Sequence, residues 1–238
     1  APSTVTIEGG IIGGTNAADA NKVTSPYGFG GGIYVNDGCA LNLQNGVQII
    51  GNEAGRAGGV RVNNSTVSMT GCTIRGNKST DGTTTPGNSG GGGGVYIHGN
   101  AGQPIAMTNC TIVGNTAAAY GGAIYAVKNS TTPSTVIISG GTIGGAGADA
   151  NKATGSSGEG GGIYVGTNCT LNMQAPAGSP TQGVQLIGNT AAKSGGGVYA
   201  EGATVNITNC TLKGNEAKSG GAVCGVMGSQ AARVTISG

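Results

Sequence analysis

Two short signals alternate along the whole chain, and their repetition limits the fold more than any single residue does. One is Gly-Gly-x-Ile/Val, anchored at Ile33, Val60, Val95, Ile124, Ile163, Val198 and Val223. The other is Ile/Leu-x-Gly-Asn, which ends at Asn52, Asn77, Asn115, Asn189 and Asn215. A fixed pair of signals recurring every few dozen residues specifies stacked, nearly identical units. The clearest unit runs from Val67 to Asn77. Val67, Met69, Cys72 and Ile74 face one side, Ser68, Thr70, Thr73 and Arg75 the other, with a bend at Gly71. That is strand alternation interrupted by a corner. The same register fits Ile105 to Asn115 and Val205 to Asn215 without a gap. Val5 to Thr15 and Val136 to Ala146 fit with Thr15 and Ala146 in place of the Asn.

Composition removes the competing architectures. The 238 residues include 52 Gly, no Trp and one Phe. That much glycine, with β-branched residues alternating between, excludes helical solenoids. Glycine without a three-residue period excludes collagen, and a net charge of +2 with regular Val and Ile positions excludes a disordered chain. The expectation is an all-β, right-handed parallel β-helix of the pectin-lyase-like kind. It has three strands per coil and about seven to eight coils, and forms one domain over 1–238. The matching motifs at Val5 to Gly9 and Val234 to Gly238 read as a section of a longer array.

Stacked coils place equivalent residues in columns about 4.8 Å apart. Ile12, Ile49, Ile74, Ile112, Ile143, Leu186 and Leu212 form an inward aliphatic column. The asparagines Asn52, Asn77, Asn115, Asn189 and Asn215 form a ladder at a turn, where side-chain amides satisfy backbone groups that a corner strands. Tyr34, Tyr96, Tyr125, Tyr164 and Tyr199 each follow the inward anchor and point outward. Arg61 and Cys224 take the same place in two coils. Such a column either contacts a ligand, stacking on sugar rings or a partner protein, or lies under adjacent loops and packs on itself. Cys72, Cys110 and Cys210 occupy an inward position. Cys72 and Cys110 fall in successive coils, close enough for a disulfide.

Chemistry is harder to find. Polysaccharide lyases and hydrolases need converging carboxylates. The nine acids lie scattered among loops and corners, with no two at matching outward positions of successive coils. His98, the only histidine, reads as a solvated loop residue. The twin loops at Asp19/Asn21 and Asp149/Asn151 supply two oxygens each, too few for calcium. No Cys/His cluster suits a metal, so neither a catalytic residue, a cofactor nor a metal is expected. The small charge gives no reason for a nucleic-acid partner, and no apolar run suffices for membrane insertion of this segment. Long loops, including Lys78 to Gly90, project from one corner and mark the face on which solenoids usually bind.

The segment Ile112 to Tyr125, and Leu212 to Asn215 followed by Gly220 to Val223, resemble the repeats of chlamydial-type polymorphic outer-membrane proteins, with Ile or Leu in place of their Phe. The resemblance implies an exported bacterial protein at the cell surface, acting as an adhesin passenger or spacer without enzymatic activity. Its partners would be a protein or glycan on a host or neighbouring cell. A self-assembling extracellular fibre subunit and a carbohydrate-active β-helix are the alternatives.

Overall fold

The computed structural model describes residues 2–84, 90–100 and 102–238. The chain winds as a right-handed parallel β-helix, every strand pairing in parallel with its equivalents in the neighbouring coils. The first sheet stacks eight strands, from Thr4–Glu8 to Arg233–Ser237. The second stacks seven three-residue strands, from Ile11–Gly13 to Thr211–Lys213. The third stacks seven strands carrying the Gly-Gly-x-Ile/Val anchors, from Ile33–Asn36 to Val223–Val226.

A fourth, narrow sheet corrects the expectation of three strands per coil. It consists of the two-residue strands Glu53–Ala54, Lys78–Ser79, Thr116–Ala117, Lys152–Ala153 and Thr190–Ala191. Each follows directly on an asparagine. A two-residue pairing leaves no hydrophobic periodicity to read, and so it is silent in the sequence.

The aliphatic bore is set by register. Ile12, Ile49, Ile74, Ile112, Ile143, Leu186 and Leu212 are consecutive Cα partners along the second sheet. They meet Leu41, Met69, Met107 and Leu171 of the first sheet and Val60, Val95, Ile124 and Ile163 of the third in one buried cluster. Burying a side chain of this size is worth about 1.5–3 kcal/mol, repeated in every coil. Added coils therefore extend the core without widening it.

At the corner after the second sheet, the asparagine column is longer than the motif suggests. Asn21, Asn52, Asn77, Asn115, Asn151, Asn189 and Asn215 form one chain in which each Nδ2 donates to the Oδ1 of the next. From Asn52 onward, each Nδ2 also donates to a backbone carbonyl one coil back, such as Ile74 for Asn115 and Ile112 for Asn151. Asn52, Asn77, Asn115, Asn151 and Asn189 are fully buried. Thr15 and Ala146 therefore do not replace ladder members. The chain detours through the twin loops and delivers Asn21 and Asn151 several residues later. Asp149, from the second loop, instead pairs with Arg75 at 2.8 Å.

The Gly-Gly-x motif resolves into three distinct positions. The first has φ between +60° and +67° in every coil, including Ala57 at +61°. The second lies against the backbone of the next coil: a Cβ on Gly122 would stand 2.2 Å from the Gly161 oxygen. The third accepts alanine, as Ala123 and Ala222 show. Between Lys78 and Gly90, residues 85–89 of the expected third long loop lie outside the described residues.

Candidate functional site

The outward face of the third sheet carries two columns. The first is aromatic. Ring centroids lie 4.6 Å apart for Tyr96 and Tyr125, 5.0 Å for Tyr125 and Tyr164, and 5.1 Å for Tyr164 and Tyr199. Arg61 extends the stack with its planar guanidinium 3.6 Å from the Tyr96 ring centre and 4.8 Å from that of Phe29. Phe29 in turn meets Tyr34. The tyrosines do point away from the bore, but four are covered: Tyr96, Tyr125, Tyr164 and Tyr199 are buried, and only Tyr34 is exposed. Of the two arrangements open to the column, the rings adopt the covered, self-packed one and form a second core. Loops cover it because bare rings in this number would expose too much apolar surface.

The second outward column stands two residues further along each strand. Strand register aligns Asn36, Asn63, His98 and Val127 at this level, and Glu201 with Val226 further on. Between Val127 and Glu201 the position falls to Gly166, which has no side chain. This gap opens a cavity of about 770 Å³. Tyr125 and Tyr164 line it from the aromatic column, Tyr120 and Glu159 from the preceding corner, and Glu201, Val127 and His98 from the strand ends.

Two acids therefore do share a site, which corrects the view of them as scattered. Glu159 and Glu201 belong to successive coils but to opposite ends of the third-sheet strands, so no matching of positions reveals the pair. Glu159 is buried and holds Lys193 Nζ at 2.6 Å. Glu201 accepts a hydrogen bond from the Tyr164 hydroxyl. Burial, the neighbouring Tyr125 and Glu201 push the Tyr164 hydroxyl far above its ordinary pKa. Burial, followed by the charge of Glu159, also raises the pKa of the Tyr120 hydroxyl. Both hydroxyls therefore remain protonated and able to donate.

His98 is neither a loop residue nor solvated. It ends the strand Val95–His98, half-buried, with Nδ1 at 2.9 Å from Asn63 Oδ1. The Asn63 amide nitrogen donates to Asn36 Oδ1 at 2.6 Å. That assignment turns an acceptor oxygen toward His98, so Nδ1 carries the proton and Nε2 a lone pair. Burial, then the positive charge of Arg61, lowers the His98 pKa to about 4. An unfolded chain takes up a proton here as pH falls from 6.5 to 4, whereas the folded chain does not. Stability is therefore lost on acidification across that window. As the single histidine, His98 gives an isolated imidazole signal in NMR, and its titration midpoint is expected near 4 rather than 6.5.

Cys72 and Cys110 sit beside each other, flanking the paired residues Thr73 and Thr111. The bridge that their adjacency permits is absent from this structure. Both are free thiols, with Cys72 Sγ 3.5 Å from the Thr70 carbonyl and Cys110 Sγ 3.5 Å from that of Met69. Hydrogen bonding with Cys72, then burial, pushes the Cys110 thiol far up. A protonated, enclosed thiol behaves as a small core hydrophobe. Among the described residues, no group of three or more His, Cys, Asp or Glu side chains is placed to hold a metal.

Together these features define a loop-covered parallel β-helix with one aromatic and acidic cavity on its third sheet. Residues 109–127 and 183–201 match the Chlamydia polymorphic membrane protein repeat. No curated protein and no solved structure matches the chain. The first matched stretch covers the strand Thr111–Val113, the ladder residue Asn115, the narrow strand Thr116–Ala117 and the strand Ile124–Val127. The repeat thus corresponds to most of one coil, and its Asn and Gly-Gly are the ladder and close-approach positions.

Proposed function

We propose that this chain is part of an exported bacterial surface protein, a non-enzymatic β-helix of adhesin type that presents its loop-bearing third sheet to a protein or glycan on another cell. The repeat match carries the reading: residues 109–127 and 183–201 follow a repeat of membrane proteins. The fold supports it mechanically, because a solenoid extends a binding face outward by adding coils. Tyr34 is the exposed member of the aromatic column, whereas Tyr96, Tyr125, Tyr164 and Tyr199 are buried and serve the scaffold, Tyr125 and Tyr164 also lining the cavity. The inference from repeat to role is one of analogy.

Beads coated with the purified chain test the proposal. Saturable adherence to cultured animal cells or bacteria, competed by soluble chain, is the expected result. Adherence no better than that of albumin-coated beads would remove the adhesin reading. Release of new reducing or unsaturated ends from a polysaccharide would replace it with an enzyme.

A further inference from the structure

The polar groups around the cavity are unevenly matched. Glu159 has its counter-charge in Lys193, but Glu201 takes part in no ion pair among the described residues. Among the described residues its hydrogen-bond donor is the neutral hydroxyl of Tyr164. The Lys128 side chain at the rim is exposed and forms no ion pair with it. His98 contributes the lone pair on Nε2, with Nδ1 committed to Asn63. Three tyrosine rings, Tyr120, Tyr125 and Tyr164, also line it, beside the neutral polar Thr84, Asn129 and Thr167, and aromatic faces attract cations. A half-buried carboxylate beside π-faces favours a positively charged donor, while His98 stands three coils from Glu201, at the far end of the cavity. A neutral polyol would leave the Glu201 charge uncompensated.

We propose that this cavity binds an organic cation: an alkylammonium group that pairs with Glu201 and packs its stem on Tyr120, Tyr125 and Tyr164. A volume of about 770 Å³ lies within the range of small-ligand pockets and admits the stem together with flanking atoms. The gap at Gly166 makes the room. An added Cβ there would stand 2.8 Å from Val127 Cγ1, so a larger side chain would fill the notch. The inference is independent of the surface role, since it rests only on the lining of the cavity.

The test is an NMR titration at pH 7 of the whole chain, labelled in its tyrosine rings, that follows the Tyr164 ring beside Glu201, assigned with Tyr164→Phe. The probes are butylammonium and Nα-acetyl-lysine methylamide, with pentan-1-ol and N-acetylglucosamine as uncharged controls. Both cations are expected to shift the Tyr164 ring signals saturably, and the controls at least tenfold more weakly. Tighter binding of the lysine derivative identifies a partner's lysine side chain as the source, and equal binding a free amine. Glu201→Gln is expected to weaken the cations tenfold or more, while Glu8→Gln, in the first sheet, leaves them unchanged. Should Glu201→Gln not fold, Gly166→Val provides the same loss by occupying the notch. Equal shifts from the controls, or none from the cations at 100-fold excess over protein, would overturn the proposal, whatever the beads do.

Discussion

Replacing Asn115 with alanine is expected to destabilise the chain by about 4 kcal/mol, because buried donors left without acceptors cost about 1–3 kcal/mol each. Asn115 is fully buried at the middle of the ladder. Its Oδ1 accepts both the backbone N–H and the Nδ2 of Asn77, at 2.9 and 3.0 Å. Its Nδ2 donates to the Ile74 carbonyl and to Asn151 Oδ1, both at 3.0 Å. Alanine strands two donors of Asn77 and opens a gap beside them, where water cannot substitute freely. Asn115→Asp is expected to be no milder, since a carboxylate keeps the acceptors but loses both donors and brings a buried charge. Asn21→Ala provides the contrast. Asn21 starts the ladder, lies exposed, and its side chain only donates, through Nδ2, to Asn52, while its backbone bonds to Asn52 and Glu53 survive in alanine. Its loss is expected to cost about 1 kcal/mol. Urea unfolding followed by far-ultraviolet circular dichroism compares the variants. Equal midpoints for Asn115→Ala and Asn21→Ala would show that the ladder does not act through burial.

The ladder also shows what a sequence reveals of a solenoid. Columns built at fixed spacing are legible: the bore residues from Ile12 to Leu212 and the five asparagines after Ile/Leu-x-Gly follow from periodicity alone. Asn21 and Asn151 escape that reading because their coils insert residues before the corner. One signal did mark them: Asn21-Lys22 and Asn151-Lys152 share the Asn-Lys step of Asn77-Lys78. The cavity is illegible for a different reason. It depends on a missing side chain at Gly166 and on two acids at unlike coil positions, joined only by the width of one sheet. Burial of the tyrosines was likewise undecidable, because covering loops carry no period. Periodicity reports what repeats, while a site on a solenoid arises where the repeat is broken.

The glycine motif yields the second large effect, and here the repeat itself supplies the controls. Position two of the motif is glycine in all seven coils: Gly31, Gly58, Gly93, Gly122, Gly161, Gly196 and Gly221. At Gly122 a Cβ would meet the Gly161 oxygen at 2.2 Å and the Lys152 nitrogen at 2.5 Å. Both belong to the backbone of the next coil, held there by hydrogen bonds from Gly122 N to the Gly160 carbonyl and from Ile124 N to that of Gly162. A side chain can swing aside, but a hydrogen-bonded rung can yield only by parting from its neighbour. Gly122→Ala is therefore expected to cost at least about 3 kcal/mol, the upper range for overpacking in a core. Gly121→Ala should be milder despite φ of +62° and a Cβ position 2.2 Å from the Ile124 oxygen of its own coil, because Ala57 already occupies the equivalent place at +61°. Gly82→Ala should stay within about 0.5 kcal/mol, since Gly82 is exposed and its Cβ would meet nothing within 4 Å. Thermal unfolding of the three variants tests the ordering. If Gly121→Ala proved worse than Gly122→Ala, torsion and crowding within one coil rather than contact between coils would be what reserves this motif for glycine.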